Sequence, residues 1–338
     1  MSSIDNINIR NGELKVKGET EQSLIFQNLF QTLKKHLKDK IYLLCVSENG
    51  DKLGIFQALK RGDKKYGEFL KKRFKEINRT LKSKISISGN KTNSLFLTLT
   101  IQDNSVESVI RGVKRFKPYI DKIRRKLKKL GYTFGYVWVR EFQKRGSLHY
   151  HLILVLNKTF RFRKDREKGK GYILSEKLYA ELFEIFNQWG LGFVNLEPVI
   201  SLNQCSRYLS KYIEKGLSEI ESEIENLNLG ELGEFELDIF PEPLIKKIWG
   251  FGYALKFRFR LWGISQNLKQ KLDMYYLYNN NSDNVGGIEK GFKLVKRFKS
   301  WEKLFEYVFL NFGIVLELQQ LDSGALIIDL FFEKNQKK

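Results

Sequence analysis

Two of the three histidines in the chain, His149 and His151, stand two residues apart in the apolar segment LHYHLILVL. Alternate residues of a β-strand project to the same face, with Cα atoms about 6.5 Å apart. Two imidazoles at that spacing can converge on one divalent ion. A strand that carries two polar residues on a solvent-facing side shows the same pattern, so the pair alone leaves both interpretations open.

The residues before this strand predict a third ligand. Residues 144–146, Lys-Arg-Gly, fit a three-residue hairpin loop with glycine in the left-handed position. Counting outward from this loop, Glu141 lies opposite His149 and Val139 opposite His151, and directly opposed residues share a face. Two histidines and one carboxylate leave coordination positions open for substrate oxygens, which suits catalysis. A slip of one residue in the pairing would turn Glu141 to the wrong face.

A second group of reactive side chains lies in residues 208–216, YLSKYIEKG. In a helix, Tyr208 and Tyr212 share one stripe, Lys211 and Lys215 form a second pair beside it, and the glycine fits the helix end. A protonated tyrosine is a weak nucleophile, with an ordinary pKa of about 10. A nearby lysine or metal ion favours the phenolate or orients a phosphate under attack. An amphipathic helix that buries two tyrosines and exposes two lysines explains the same residues.

Secondary-structure patterns predict the scaffold around these groups. Helices are predicted over 22–36, 64–82, 105–130, 175–188 and 203–215. Strands are predicted over 94–102, 132–142, 148–156 and 192–198, and the Asn-Gly pair at 49–50 predicts a hairpin. Further predictions are linkers at 88–93 and 279–287, one or two strands within 251–265, and a tail of helix 299–311 followed by strands 313–319 and 325–332.

The formal net charge of +21 makes a polyanion the first partner to consider. Positive charge is concentrated in three runs, at 60–75, 111–130 and 161–170, whereas residues 216–243 hold nine acidic residues and no lysine or arginine. A basic run is often a solvated helix face, but three runs around one chemical motif favour a surface that follows a phosphate backbone. The acidic stretch predicts either a mobile insert or a surface that competes with DNA.

Composition argues against several other classes of protein. Hydrophobic residues at 42% and aromatic residues at 14% are too frequent for a disordered basic protein. No apolar run approaches about 18 residues, and the first residues lack the features of a signal peptide, so neither a membrane-spanning nor a secreted protein is expected. Cys45 and Cys205 form no disulfide framework or zinc-finger pattern. We expect a cytoplasmic protein directed at nucleic acid.

Three segments in order, FLTLT at 96–100, HYH at 149–151 and YLSKYIEK at 208–215, resemble the three motifs of the HUH endonucleases. The closest group is that of the rolling-circle replication initiators of small plasmids and single-stranded DNA phages, whose two-tyrosine pattern is Y-x-x-K-Y-x-x-K. The resemblance covers about 94–215. It implies an α+β fold with a central antiparallel sheet of ferredoxin-like type flanked by helices.

The resemblance also implies roles for the metal ligands. His149 and His151 would hold a divalent metal, Mg²⁺ or Mn²⁺. Glu141 is the choice that hairpin geometry makes for the third ligand, because that position varies among members of the family.

The tyrosines would supply the nucleophiles. Some plasmid initiators have a glutamate at the first tyrosine position and keep the second. This comparison favours Tyr212 as the initiating nucleophile and leaves Tyr208 for strand transfer. Lys211 and Lys215 would assist at the phosphate.

The implied enzyme is a metal-dependent, site-specific DNA endonuclease and strand transferase, encoded by a plasmid or phage of a prokaryotic cell. Its substrate would be single-stranded or hairpin origin DNA, and a host polymerase would extend the 3′-OH. No G-x-x-x-x-G-K-[ST] motif occurs, so no ATP is expected and unwinding would need a separate host helicase. Two-tyrosine transposases and mobilisation relaxases use the same chemistry, and a non-catalytic origin-binding replication regulator would need only the basic surfaces.

We expect three regions along the chain. Residues 1–90 would form an N-terminal accessory region of a helix and a hairpin. Residues 91–270 would form the endonuclease domain, with the acidic insert at 216–243. Residues 288–338 would form a small C-terminal module of a helix and a hairpin.

Overall fold

A computed structural model of the protein describes residues 21–58, 60–164, 172–205, 207–208, 211, 220–226, 240–268, 276–277, 286–287, 292–312 and 325–329. The predicted strand at 313–319 and most of the predicted linker at 279–287 lie outside these residues.

Helices and strands alternate along most of the described chain. The helices are α1 (Glu21–Lys38), α2 (Lys64–Lys84), α3 (Val106–Lys129), α4 (Glu176–Phe186), α5 (Glu221–Glu225), α6 (Glu242–Lys256) and α7 (Trp301–Phe312). The strands are β1 (Tyr42–Ser47), β2 (Lys52–Gln57), β3 (Ile87–Ser88), β4 (Lys91–Thr100), β5 (Phe134–Phe142), β6 (Leu148–Lys164), β7 (Tyr172–Leu174), β8 (Val194–Pro198), β9 (Trp262–Ile264), β10 (Tyr276–Leu277), β11 (Gly286–Gly287), β12 (Phe292–Phe298) and β13 (Ala325–Asp329). Residues 202–205, 207–208 and 211 are also helical and are called the tyrosine segment below.

The larger of the sheets in the described residues has seven strands, all paired antiparallel. Five of them follow the order β8-β4-β6-β5-β9, while β3 also pairs with β4 and β7 pairs with the far end of β6. Helices flank this sheet. The fold class is therefore the predicted one, a mixed α+β fold built on an antiparallel sheet.

One face of the larger sheet is covered by α3. The ring of Tyr150 on β6 stacks on Phe116 of α3 with centroids 4.3 Å apart, and the Tyr150 hydroxyl donates to the carbonyl of Gly112. Both rings are buried in the main hydrophobic core. The apolar stripe of α3 thus packs against the sheet, and the charged side chains of the helix point outward.

The opposite face carries the histidines and is covered in part by α2. Phe74 of α2 contacts Trp262 of β9 with ring centroids 5.0 Å apart. Trp262 is paired across β5 through Val139 to His151 of β6, so these side chains share a face. Because successive residues of a strand alternate between faces, His149 and His151 lie on this α2 face and Tyr150 on the α3 face.

A second sheet brings together strands from both ends of the chain. Its order is β12-β1-β2-β13, so the hairpin β1–β2, predicted from the Asn-Gly pair, has a strand from the C-terminal part on each side. Helix α7 packs on it through Leu304 and Val308. The three-region division of the chain stays a prediction. The strand pairing shows that the first and third of those regions share one sheet, and α1 and α2 pack into the core of the larger sheet.

The predicted linker at 88–93 is wrong. The strands β3 and β4 form a tight hairpin there, with Gly89 at φ +55° in the turn. The buried amide of Asn93 donates to the carbonyls of Lys84 and Leu156, which ties the hairpin to α2 and β6. Glycine, asparagine and serine favour tight turns for the same reasons that they favour linkers, so composition alone did not distinguish the two.

The prediction of one or two strands within 251–265 is confirmed for 262–264, which form β9, and is wrong for 251–256, which belong to α6. Ten residues of α6 are buried, on all sides of the helix. A helix without a polar face has no amphipathic period to mark it, and its short apolar runs look like those of a buried strand.

Part of the acidic stretch 216–243 is packed against the rest of the protein. Ile220 is fully buried, and its backbone N–H donates to the carbonyl of Gly62 over 2.8 Å. Glu223 forms an ion pair with the buried Lys247 of α6. Residues 220–226 are therefore docked beside the start of α2, and residues 216–219 and 227–239 lie outside the described part of the chain.

We expect Gly146→Ala to destabilise the β5–β6 hairpin. Gly146 has φ +86°, and a Cβ there would lie 3.2 Å from the Trp249 ring. Left-handed backbone costs a residue with a Cβ about 1–3 kcal/mol. Gly50→Ala is the matched control, since Gly50 has φ +76° and no heavy atom near its Cβ position. Thermal unfolding followed by circular dichroism should show the larger loss for Gly146→Ala. Equal losses would mean that the Trp249 contact relaxes without cost.

Candidate active site

The β5–β6 hairpin has the predicted register. The N–H of Gln143 donates to the carbonyl of Ser147 over 2.9 Å, and the loop closes with Gly146 in the left-handed region. Glu141 is paired with His149, and Val139 with His151. The sequence prediction that Glu141 shares a face with both histidines is therefore confirmed, while its role as a ligand stays a prediction.

The carboxylate of Glu141 contacts the more distant of the two histidines. Its Oε2 lies 2.9 Å from Nε2 of His151, a diagonal contact between neighbouring rows of the sheet. The ring of His149 has its centroid 6.1 Å from that of His151, and its buried Nε2 has no hydrogen-bond partner among the described residues. Two of the three predicted ligands are thus joined directly, and the third is adjacent.

These side chains suit a divalent cation, although the described residues include no ready-formed group of three His, Cys, Asp or Glu side chains that could hold one. The buried Nε2 of His149, which has no partner in the described part of the chain, is costly unless something binds it. A spacing of 2.9 Å is a hydrogen bond here, and it is also about the separation, roughly 3 Å, of adjacent ligands on an ion with bonds near 2.1 Å. Glu141 and His151 can therefore share a proton in a hydrogen bond or coordinate the same ion.

Burial keeps both imidazoles neutral. It lowers the pKa of His149 to about 4, and the neighbouring His151 adds to this effect. Burial also lowers the pKa of His151, against the opposing effect of the hydrogen bond with Glu141, and the charge of Lys211 lowers it further. The neutral ring is the form of histidine that binds metal.

Tyr208 brings its hydroxyl to the same place from outside the sheet. The phenolic oxygen lies 3.1 Å from Nδ1 of His151 and 3.3 Å from Oγ1 of Thr98. Its ring lies against Phe96 of β4 with centroids 4.2 Å apart. The helical turn starts after Ser201, whose hydroxyl accepts the N–H of Gln204. Glu141, His151 and Tyr208 thus form one continuous chain of contacts.

The other predicted residues of the tyrosine helix are described only in part. Lys211 is helical and exposed, and its charge acts on His151. Tyr212 and Lys215 lie outside the described residues, so their predicted roles stay predictions.

Thr98 is a site residue to which the sequence analysis assigned no role. Its Oγ1 lies 3.4 Å from Nδ1 of His151 as well as near Tyr208, and it is paired with His151 across β4 and β6. The available signal was alternation: Thr98 lies between the buried Leu97 and Leu99, and Thr100 between Leu99 and the buried Ile101. A polar residue on a strand next to the histidine strand is expected to reach the same face.

Two of the three basic runs lie on opposite faces of the larger sheet. Helix α2, which includes most of the run 60–75, packs on the histidine face and exposes Lys64, Lys71, Lys72 and Lys75 of that run. Helix α3, which includes nearly all of the run 111–130, packs on the opposite face. Its exposed basic side chains are Arg111, Lys114, Arg115, Lys117, Lys122, Arg124, Arg125, Lys128 and Lys129. A ligand held at the histidines would therefore not lie under the α3 charges.

Comparison with protein families gives a class for the region that holds this site. Residues 94–217 match the model of a family described as replication-associated protein ORF2. The match starts within β4 and includes Glu141, both strand histidines and the whole of the predicted two-tyrosine motif.

Among curated proteins, the chain is similar to the phasyl DNA replicon protein arp of Escherichia coli. The two are 26% identical over 192 residues, which cover 52% of this chain and 65% of that protein. The chain thus aligns with slightly less than two thirds of its relative. No solved structure matches the chain significantly. Within the described residues, no helix is both long and apolar enough to cross a membrane.

We expect Mn²⁺ to bind at the His149, His151 and Glu141 side chains. Ion at a hundredfold excess over its dissociation constant should stabilise the protein by about 2.7 kcal/mol. His149→Ala should abolish this thermal shift, because it removes a nitrogen ligand, and Glu141→Gln should weaken it. His36→Gln changes the remaining histidine, on α1, and serves as the control. Equal thermal shifts in the wild type and in His149→Ala would contradict the metal site.

Proposed function

We propose that the protein initiates DNA replication by nicking single-stranded origin DNA through a tyrosine nucleophile and later rejoining the strand. The observation that carries this proposal is the position of the Tyr208 hydroxyl, 3.1 Å from a buried histidine that is held on its other side by a carboxylate. The family match and the similarity to a replicon protein support a role in replication.

The contact between His151 and Tyr208 supports a role for His151 in activating Tyr208. With the ring proton on Nε2, that nitrogen donates to Glu141, and Nδ1 can accept the proton of the phenol. If Nε2 instead held a divalent ion, the ring proton would lie on Nδ1. It would then be donated to the phenolic oxygen, which favours the phenolate. In both cases the ring acts on the oxygen that attacks. Thr98 adds a second hydrogen bond that orients this oxygen.

A divalent ion held by His149, His151 and Glu141 would withdraw charge from the scissile phosphate. The ammonium group of Lys211, which acts on His151 from the tyrosine segment, would add positive charge near the same phosphate. Lys215, one turn further along the predicted helix, would extend this charge.

The proposed reaction exchanges one phosphodiester for another. The phenolic oxygen bonds to phosphorus, the bond to the 3′ oxygen breaks, and that oxygen leaves as a 3′-OH after it takes up a proton. The energy of the broken bond is kept in the 5′-phosphotyrosine link, so no ATP is needed. A second tyrosine can then cleave the regenerated origin, and the free 3′-OH can resolve the first link.

The contacts of Tyr208 bear on the order of the two tyrosines. The comparison with plasmid initiators predicts that Tyr212 attacks first. In the described structure the hydroxyl at His151 belongs to Tyr208, and we therefore propose the reverse order, with Tyr208 as the first nucleophile and Tyr212 as the second.

Covalent adducts test the chemistry directly. Incubation with Mn²⁺ and single-stranded candidate-origin oligonucleotides should yield a denaturant-resistant adduct that peptide mapping places at Tyr208. Tyr208→Phe keeps the ring and should lose most of this adduct, whereas Tyr179→Phe, on α4, should not. His149→Ala and His151→Ala should each lower adduct formation about a hundredfold or more. An adduct at Tyr212 alone would restore the order predicted from sequence, and an adduct at neither tyrosine would refute the mechanism.

The α3 charges should act on duplex DNA rather than on the nicked strand. Each lost phosphate contact should flatten the slope of log affinity against log salt concentration by about 0.9 for duplex DNA. A variant with glutamine at Arg124, Arg125, Lys128 and Lys129 should have a flatter slope with duplex DNA. Its adduct formation on a short single strand should stay unchanged. The same substitution at Lys293, Lys296, Lys299 and Lys303 removes equal charge elsewhere and is the control. An unchanged duplex slope would mean that α3 faces only solvent.

A further inference from the structure

An exposed aromatic side chain stands beside the candidate active site. The ring of Phe193 is 71% exposed, at the start of the edge strand β8. The register of β8 with β4, continued by one residue, places Phe193 opposite Thr100, and the N–H of Thr100 donates to the Phe193 carbonyl over 2.8 Å. Thr100 is in turn paired with His149 and His149 with Glu141. These four residues form one row across the histidine face.

The backbone that carries this ring is held in place on several sides. Gly192, at φ +154°, packs so closely that a Cβ would lie 2.4 Å from the carbonyl oxygen of Thr100. The fully buried Trp189 donates its ring N–H to that same oxygen, and the N–H of Gln102 donates to the carbonyl of Leu191. The backbone at Phe193 is thus held by the fold, and a ligand would not have to order it on binding.

The neighbours of Phe193 suit bases better than phosphates. The next outward residues of β8 are Asn195 and Glu197, both exposed and joined by a 2.9 Å hydrogen bond from Nδ2 to Oε1. An exposed carboxylate repels a phosphate, whereas amide and carboxylate groups bond to base edges. Phe193, Asn195 and Glu197 therefore combine a ring for stacking with polar groups that do not attract the phosphate backbone of DNA.

We propose that Phe193 is a stacking site for a base of the single-stranded DNA whose phosphate lies at the histidines. The proposal rests on the proposed nicking function for the position of the strand. Phe193 is two strand spacings from His149, about 10 Å, which nucleotides next to the scissile phosphate can cover. Stacking on an aromatic ring accepts any base, so this site adds affinity and fixes the path of the strand without demanding a sequence.

Photo-crosslinking and binding test the site in the full-length protein. A mixed-sequence single-stranded oligonucleotide containing 5-iodouracil should crosslink to a peptide that includes Phe193. In chelator, without divalent metal, Phe193→Ala should weaken binding of the unmodified oligonucleotide about 5- to 150-fold, and Phe193→Trp should restore it. Phe309→Ala, at a half-exposed phenylalanine of α7, should leave binding unchanged.

The outcomes separate this inference from the nicking mechanism. Wild-type affinity in Phe193→Ala, or equal loss in Phe193→Ala and Phe193→Trp, overturns the stacking site whether or not an adduct forms. Loss of affinity in Phe193→Ala with rescue by tryptophan supports the site even if no tyrosine adduct is found. In that case the nicking proposal alone fails.

Discussion

The hairpin register between β5 and β6 is the constraint on which the candidate site depends. Side chains of a strand alternate with a period of two, so a slip of one residue would turn Glu141 away from the histidines and bring Arg140 in its place. The turn at Gly146 fixes this register, since few residues other than glycine adopt its φ of +86°. One backbone angle in a loop thus decides whether a carboxylate or a guanidinium stands beside His149.

The hairpin and its ligand row could be predicted from sequence because they depend on local rules. Loop length, the glycine position and strand alternation are sufficient to bring Glu141, His149 and His151 to one face. The contact of Tyr208 with His151 could not be derived in the same way. It depends on how a helix outside the sheet packs against Phe96, and helix spacing shows only that Tyr208 and Tyr212 share a stripe.

Two further features of the fold could not be predicted from periodicity. Residues 251–256 were assigned to strands because α6 is buried on all sides and shows no amphipathic period. The distribution of the basic runs over two faces was likewise hidden, because charge patterning identifies the solvent side of a helix without saying which face of the sheet the other side covers. Periodicity determines the orientation of an element about its own axis, whereas its neighbours depend on packing across the whole chain.

The candidate site combines side chains on the strands of the sheet with a tyrosine on a helical segment outside the sheet. Glu141, Thr98 and His151 belong to three adjacent strands whose hydrogen bonds hold them in register. Tyr208 reaches them from a helical segment outside the sheet, through its ring and its hydroxyl. A tyrosine that becomes covalently linked to DNA can no longer donate a hydrogen bond to His151, because its oxygen loses its proton when it bonds to phosphorus. Since the strands do not depend on that hydrogen bond, the proposed ligands stay in place for a second attack, as strand cleavage followed by joining requires.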